Sequence, residues 1–188
     1  MAKQYIRIVG GNYRRTPIAV VDAPGLRPTP DRVRETLYNW LHHFWQGRFE
    51  DKHVLDLFAG SGALGLEAAS RGAALVQMVE RDPAAVAALR ALRNKLDATM
   101  VRIHQGDAMT VVHRQSPARY DLILLDPPFG QGWLERLWPL LPNVLKEGAL
   151  VYVESETPVA APQGYAPLRQ DRAGAVHYHL LQFAATQN

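Results

Sequence analysis

The chain has 188 residues, 47% of them hydrophobic, and a formal net charge of +3; that length points to one domain with a full core and room for a small appendage. It has no cysteine, which excludes a disulfide framework and a thiolate metal site. The start Met1-Ala2-Lys3-Gln4-Tyr5 lacks the apolar run of a signal peptide, and no stretch approaches the roughly 20 apolar residues of a membrane helix, so a soluble, cytoplasmic protein is expected.

The charge is unevenly placed. Residues 1–34 hold seven basic side chains (Lys3, Arg7, Arg14, Arg15, Arg27, Arg32, Arg34) against two acidic ones (Asp22, Asp31), which leaves a net −2 on the remainder. A basic segment on a near-neutral body suggests an arm for a polyanion such as nucleic acid; the plainer alternative is a solvated, arginine-rich surface.

Tyr5 to Val9 alternates apolar and polar residues and runs into Gly10-Gly11-Asn12, a turn signal. Ile18 to Val21 is a second short β-like run, so a hairpin is expected with Arg14 and Arg15 near its bend. Asp22 to Pro30, rich in proline and glycine, reads as a linker. Thr29-Pro30-Asp31 then offers a cap candidate and a first-turn proline for a helix. Its apolar stripe is Val33, Leu37, Trp40, Leu41 and Phe44; Arg32 and Arg34 lie off that stripe and are expected to face outward toward phosphate.

From residue 53 strands and helices alternate. Val54 to Leu57 reads as a buried strand, Ala63 to Arg71 as a helix, and Leu75 to Glu80 as the next strand. Asp82-Pro83 caps an alanine-rich helix ending near Leu96. Val101 to His104 is a third strand, Ala108 to Gln115 a helix and Tyr120 to Leu125 a fourth strand. Trp133 to Leu145 reads as helix, broken or kinked at Pro139 and Pro142. Leu150 to Glu154 is a fifth strand, and Leu168 to Arg172 with Ala175 to Phe183 a closing pair joined at Gly174. The alternation implies an α/β fold: a Rossmann-like, doubly wound sheet, mostly parallel with one antiparallel strand, plus a small N-terminal β-hairpin extension.

Two loops carry the chemistry. Phe58-Ala59-Gly60-Ser61-Gly62-Ala63-Leu64-Gly65 joins a strand to a helix and fits the G-x-G-x-x-G pattern, with Glu80 ending the next strand to accept ribose hydroxyls. A nicotinamide-dependent dehydrogenase and a methyltransferase using S-adenosylmethionine fit this pattern equally, and a tight turn without a ligand is the plain alternative. Asp56, just before the glycines, suits the cationic methionine end of S-adenosylmethionine and would repel a pyrophosphate. Asp107 can accept the adenine amine and the Ala108 N–H can meet a ring nitrogen; Asp107 also suits a helix cap, and the two roles are compatible.

The second loop, Asp126-Pro127-Pro128-Phe129, follows the fourth strand. An exocyclic amine is a poor nucleophile because its lone pair is delocalised into the ring. Asp126 can accept one N–H of such an amine and the Pro127 carbonyl the other. The two prolines fix the backbone direction, and Phe129 can stack on the base. A proline-rich loop with a packed phenylalanine is the structural alternative.

Asp126 to Phe129 matches the (Asp/Asn/Ser)-Pro-Pro-(Tyr/Phe) motif of class I amino-methyltransferases, and Phe58 to Gly65 matches their cofactor loop. Arg7-Ile-Val-Gly-Gly-Asn-Tyr-Arg14-Arg15 and Arg27-Pro-Thr-Pro-Asp-Arg-Val-Arg-Glu35 resemble the bacterial RsmD family over almost the whole chain. The resemblance implies transfer of a methyl group from S-adenosylmethionine to N2 of a guanine in 16S ribosomal RNA, within the small subunit or an assembly intermediate. It implies Asp126 to Phe129 as the target-base site, and Gly60, Gly62, Glu80 and Asp107 as cofactor contacts. It also implies residues 1–50 as an RNA-binding extension carrying Arg7, Arg14, Arg15, Arg27, Arg32 and Arg34, with residues 51–188 as the methyltransferase domain. Adenine-N6 methylation of DNA or RNA, an NAD-dependent dehydrogenase and a non-catalytic RNA-binding protein are the alternatives.

The remaining features carry less. His42-His43 and His177-x-His179 lack further ligands for a metal. Trp133, Leu137, Trp138 and Leu141 read as helix core rather than as an RNA platform, and nothing is inferred for Pro158 to Pro167.

Overall fold

A computed structural model describes residues 4–20 and 29–184. Strands covered on both faces have no solvent side to keep polar, so they read as near-continuous apolar runs. Of this kind are β3 (His53–Asp56), β4 (Leu75–Glu80), β6 (Tyr120–Leu125) and most of β7 (Leu145–Ser155); β5 (Val101–Gln105) and β8 (Tyr165–Ala173) are largely exposed strands, and β9 (Val176–Phe183) is mostly buried. The seven lie in the order β5-β4-β3-β6-β7-β9-β8. Only β9 runs against its neighbours, the single antiparallel strand expected. A separate two-stranded sheet pairs β1 (Tyr5–Arg7) with β2 (Pro17–Ala19), Tyr5 opposite Ala19.

Five α-helices accompany the sheets among the described residues: α1 (Asp31–Phe44), α2 (Ala63–Ser70), α3 (Pro83–Lys95), α4 (Ala108–His113) and α5 (Trp133–Leu137). α3 starts as its sequence suggests, with the Asp82 carboxylate accepting from Ala85 N at 2.8 Å and proline in the first turn. α2 is buried at every position, which suits its mostly alanine and leucine sequence. Apolar clusters fill both faces of the sheet.

The hairpin and α1 pack on one of these clusters. Ile8, Ile18, Val33, Leu37 and Tyr38 belong to the same buried group as Val54, Leu66 and Val76. Polar contacts fix the hairpin to α2. Val9 N and Gly10 N donate to the Glu67 carboxylate at 2.9 and 2.8 Å, and Tyr13 N donates to Ser70 Oγ at 2.8 Å. Gly11 lies at φ +76°, and a Cβ there would stand 2.0 Å from the Ser70 carbonyl oxygen, so only glycine lets the bend close on α2.

Three expectations are corrected. Arg34 does not face outward: it is 0% exposed. Its guanidinium donates to the Arg7 carbonyl at 2.7 Å, pairs with Asp31 and lies 3.6 Å from Glu67. The buried Glu67 carboxylate draws it inward, since an unpaired charge there would be costly. Thr29 does not cap α1; Pro30 holds the cap position without a side-chain bond, because the Thr29 hydroxyl is spent on Glu154 instead. The stretch from Trp133 to Leu145 breaks before Pro139 as expected, but it does not resume as α-helix. α5 ends at Leu137, and a 3₁₀ turn (Leu141–Asn143) leads into β7, which begins at Leu145. Pro139 and Pro142 supply no N–H to continue the ladder. Val21, the linker residues 22–28 and with them Arg27 lie outside the described residues.

Candidate active site

The sheet order reverses at β3, whose connections leave toward β4 on one side while β6 pairs on the other. Ligands of open α/β sheets bind past the carboxyl ends of the strands at such a point. A cavity of about 620 Å³ opens there, and both sequence motifs line it: Phe58, Gly60 and Ser61 from the glycine loop, and Asp126 to Phe129 from the end of β6. Glu80, Asp107 and Ala108 complete the side toward β4 and β5.

Glu80 ends β4 and is nearly buried. Its carboxylate accepts from Gly60 N, Arg81 N and Asp82 N, each at 2.8 Å, so it holds the glycine loop and still offers lone pairs to a ribose. Asp107 caps α4 as expected, accepting from Thr110 N at 3.1 Å, and it lines the cavity. Phe58 meets Trp133 edge-on at a centroid distance of 5.3 Å. Trp133 is buried core, as expected, and also a cavity wall.

Two residues expected to contact the cofactor are not among those lining the cavity. Asp56 lies beneath the loop and is not among the lining residues. It is fully buried, accepting from Gly65 N at 3.1 Å and Phe58 N at 3.4 Å. Burial pushes its carboxyl up to about 7, against the pull of those two bonds. Gly62 is a packing residue rather than part of the lining: its φ is +86°, and a Cβ would stand 2.5 Å from Leu89 Cδ2 and 2.9 Å from Met78 Cε. Gly62→Ala is therefore expected to lower unfolding free energy by about 1–3 kcal/mol, read as a lower midpoint in urea at unchanged slope.

Asp126 is partly exposed, yet its carboxyl is pushed well up by desolvation, then by the charges of Glu154 and Asp56, with the nearby Thr29 hydroxyl opposing this. Glu154, on β7, is 4% exposed and likewise raised by burial. The sequence analysis named neither Thr29 nor Glu154 as a site residue. A usable signal existed for Glu154, since it ends an apolar strand as Glu80 does. Thr29 had none, because its partner lies 125 residues away in sequence.

The basic residues are placed as follows. Arg7, Arg14, Arg15 and Arg32 are exposed, Arg34 is buried, and Val20 from the end of the hairpin lines the cavity. His179 packs, its Nε2 accepting from Val159 N at 3.2 Å. Among the described residues no cluster of three or more His, Cys, Asp or Glu is placed to hold a metal ion, and no helix is long and apolar enough to cross a membrane.

The lining suits a cationic cofactor. It holds four acids (Glu80, Asp82, Asp107, Asp126) and one base (Arg81), a balance that attracts a sulfonium and repels a pyrophosphate. A family model described as Conserved hypothetical protein 95 matches residues 6–182. Ribosomal RNA small subunit methyltransferase D of Escherichia coli K12 is 42% identical over 182 residues, 94% of this chain and 89% of that protein. A solved structure titled as a putative methyltransferase from Escherichia coli superposes with a TM-score of 0.85 at 42% identity, covering 97% of this chain and 100% of that one. One titled as a putative methylase from Haemophilus influenzae gives 0.79 at 32% identity, covering 96% and 99%. With its own motifs meeting in one cavity and these relatives matching along nearly its full length, the chain belongs to the RsmD family of ribosomal RNA methyltransferases.

Proposed function

We propose that the protein transfers a methyl group from S-adenosylmethionine to the exocyclic N2 amine of a guanine in 16S ribosomal RNA. One observation carries this: the cofactor loop and the Asp126 to Phe129 tetrapeptide line a single cavity. Glu80 and Asp107 would hold the ribose and adenine, and Phe58 would pack beside them. When bound, S-adenosylmethionine supplies an electrophilic methyl group. Asp126 accepts one amine N–H, the Pro127 carbonyl the other, Pro128 holds the loop rigid, and Phe129 stacks on the extruded base. Catalysis is then mainly positioning of the nitrogen for in-line attack.

The guanine and the ribosomal RNA rest on the family and on relatives named for small-subunit ribosomal RNA. The tetrapeptide itself serves adenine amines as well. Residues 1–50 would act as the RNA-binding extension and residues 51–188 as the methyltransferase domain, working in the cytoplasm on the small subunit or an assembly intermediate.

Calorimetry with S-adenosylhomocysteine and NAD in parallel tests the cofactor assignment; the proposal expects binding of the former, and tight binding of NAD alone would overturn it. Replacing Arg14 and Arg15 by alanine should weaken RNA binding and flatten log Kd against log salt by roughly one per arginine that meets a phosphate. An unchanged slope would show that neither does.

A further inference from the structure

A second hollow lies away from the active site, at β5, an edge strand of the seven-stranded sheet. It measures about 400 Å³ and is lined by Arg90, Arg93 and Asn94 of α3 with Val101, Arg102 and Ile103 of β5. No acid lines it, so no carboxylate within the hollow offsets the three guanidinium groups. The surrounding sequence is biased the same way. Residues 83–103 carry Arg90, Arg93, Lys95 and Arg102 against Asp97 alone, a net of +3 inside a body that is net −2.

Arg93 is anchored in place. Its Nε donates to the Val101 carbonyl at 2.8 Å and its Nη1 to Asn94 Oδ1 at 3.2 Å, which leaves further N–H donors on the guanidinium for a ligand. Arg90 stands three residues earlier on the same side of α3. Arg102 is exposed on β5 beside them.

The hollow adjoins the hairpin. Tyr13 OH donates to Met100 Sδ at 3.9 Å, and Met100 directly precedes β5. The bend with the exposed Arg14 and Arg15 therefore rests at the amino end of the strand whose second residue is Arg102. A compact anion needs donors that converge on one point. Cations strung over a bend, a strand and a helix face fit a chain of phosphates instead.

We propose that this hollow holds the phosphodiester backbone of the RNA substrate, extending a contact that begins at Arg14 and Arg15. The role rests on the ribosomal RNA reading given above. The target base enters past the carboxyl ends of the strands, whereas Arg102 lies near the amino end of β5. The hollow thus grips RNA that flanks the target nucleotide rather than the nucleotide itself.

The test is binding of 16S ribosomal RNA over a salt series by the Arg90→Ala/Arg102→Ala variant, with Arg93 kept for its bond to Val101. The slope of log Kd against log salt should flatten by up to about two, and kcat/KM for the RNA should fall about tenfold. The kcat at saturating RNA, S-adenosylhomocysteine affinity and urea midpoint should stay at wild-type values. Arg90→Lys/Arg102→Lys should keep the slope, because counterion release follows charge. Removing equal charge at the exposed Arg48 and Arg114 should leave the slope as it is in the wild type. An unchanged slope in the Arg90→Ala/Arg102→Ala variant, with aggregation in its place, would make these arginines guards of an edge strand and overturn the proposal. The same flattening in the Arg48 and Arg114 control, or a defect on assembled subunits with none on free RNA, would overturn it too. Wild-type protein that transfers no methyl group to ribosomal RNA would instead overturn the reading beneath it.

Discussion

Asp126→Ala is expected to lower kcat for methyl transfer by on the order of a thousandfold while leaving affinity for S-adenosylhomocysteine nearly unchanged. The side chain stands at the end of β6 in the shared cavity, and Glu80, Gly60 and Asp107 at the cofactor side do not depend on it. Alanine removes the acceptor that holds the amine, so the nitrogen loses its aim. Asp126→Asn keeps an acceptor oxygen and should retain part of the activity. Full turnover in Asp126→Ala would remove Asp126 from the chemistry.

Arg34→Met is expected to cost about 3–5 kcal/mol of unfolding free energy in urea, because it removes one of the two guanidinium groups beside buried Glu67 and the donor to the Arg7 carbonyl. Arg71 Nη2, at 3.0 Å from Glu67 Oε1, places the loss toward the lower end. Adding Glu67→Gln should recover part of it, since the uncompensated charge is then gone. An exposed arginine reaching for phosphate would behave differently: its loss would change stability by no more than about 0.5 kcal/mol and weaken RNA binding. The pair of measurements therefore separates a clamp between hairpin, α1 and α2 from an RNA contact.

The body of the fold was legible in the sequence because its signals are local. Tyr120 to Leu125 and Leu75 to Glu80 are apolar runs with clear ends, and both strands fall on those residues. Asp82-Pro83 capped its helix through a bond three residues long. What failed depended on distant partners. Arg34 sits off the apolar stripe of α1, and nothing nearby shows that Glu67 waits for it in α2. Thr29 looks like a cap until Glu154, on a strand far along the chain, claims its hydroxyl. The site divides the same way. Asp126 to Phe129 and Glu80 are announced by short motifs, and they line one cavity. Gly62 in the glycine loop and Asp56 just before it pack against or bond to that loop, which spacing alone cannot distinguish from contact with a ligand.

The most direct test of amine methylation at Asp126 to Phe129 is transfer of a labelled methyl group from S-adenosylmethionine to small-subunit ribosomal RNA, free or in subunits, followed by digestion to nucleosides and mass analysis. The label should appear in N2-methylguanosine at a single position with the wild-type protein and be lost with Asp126→Ala. Label in N6-methyladenosine, or N2-methylguanosine formed equally by the variant, would contradict it.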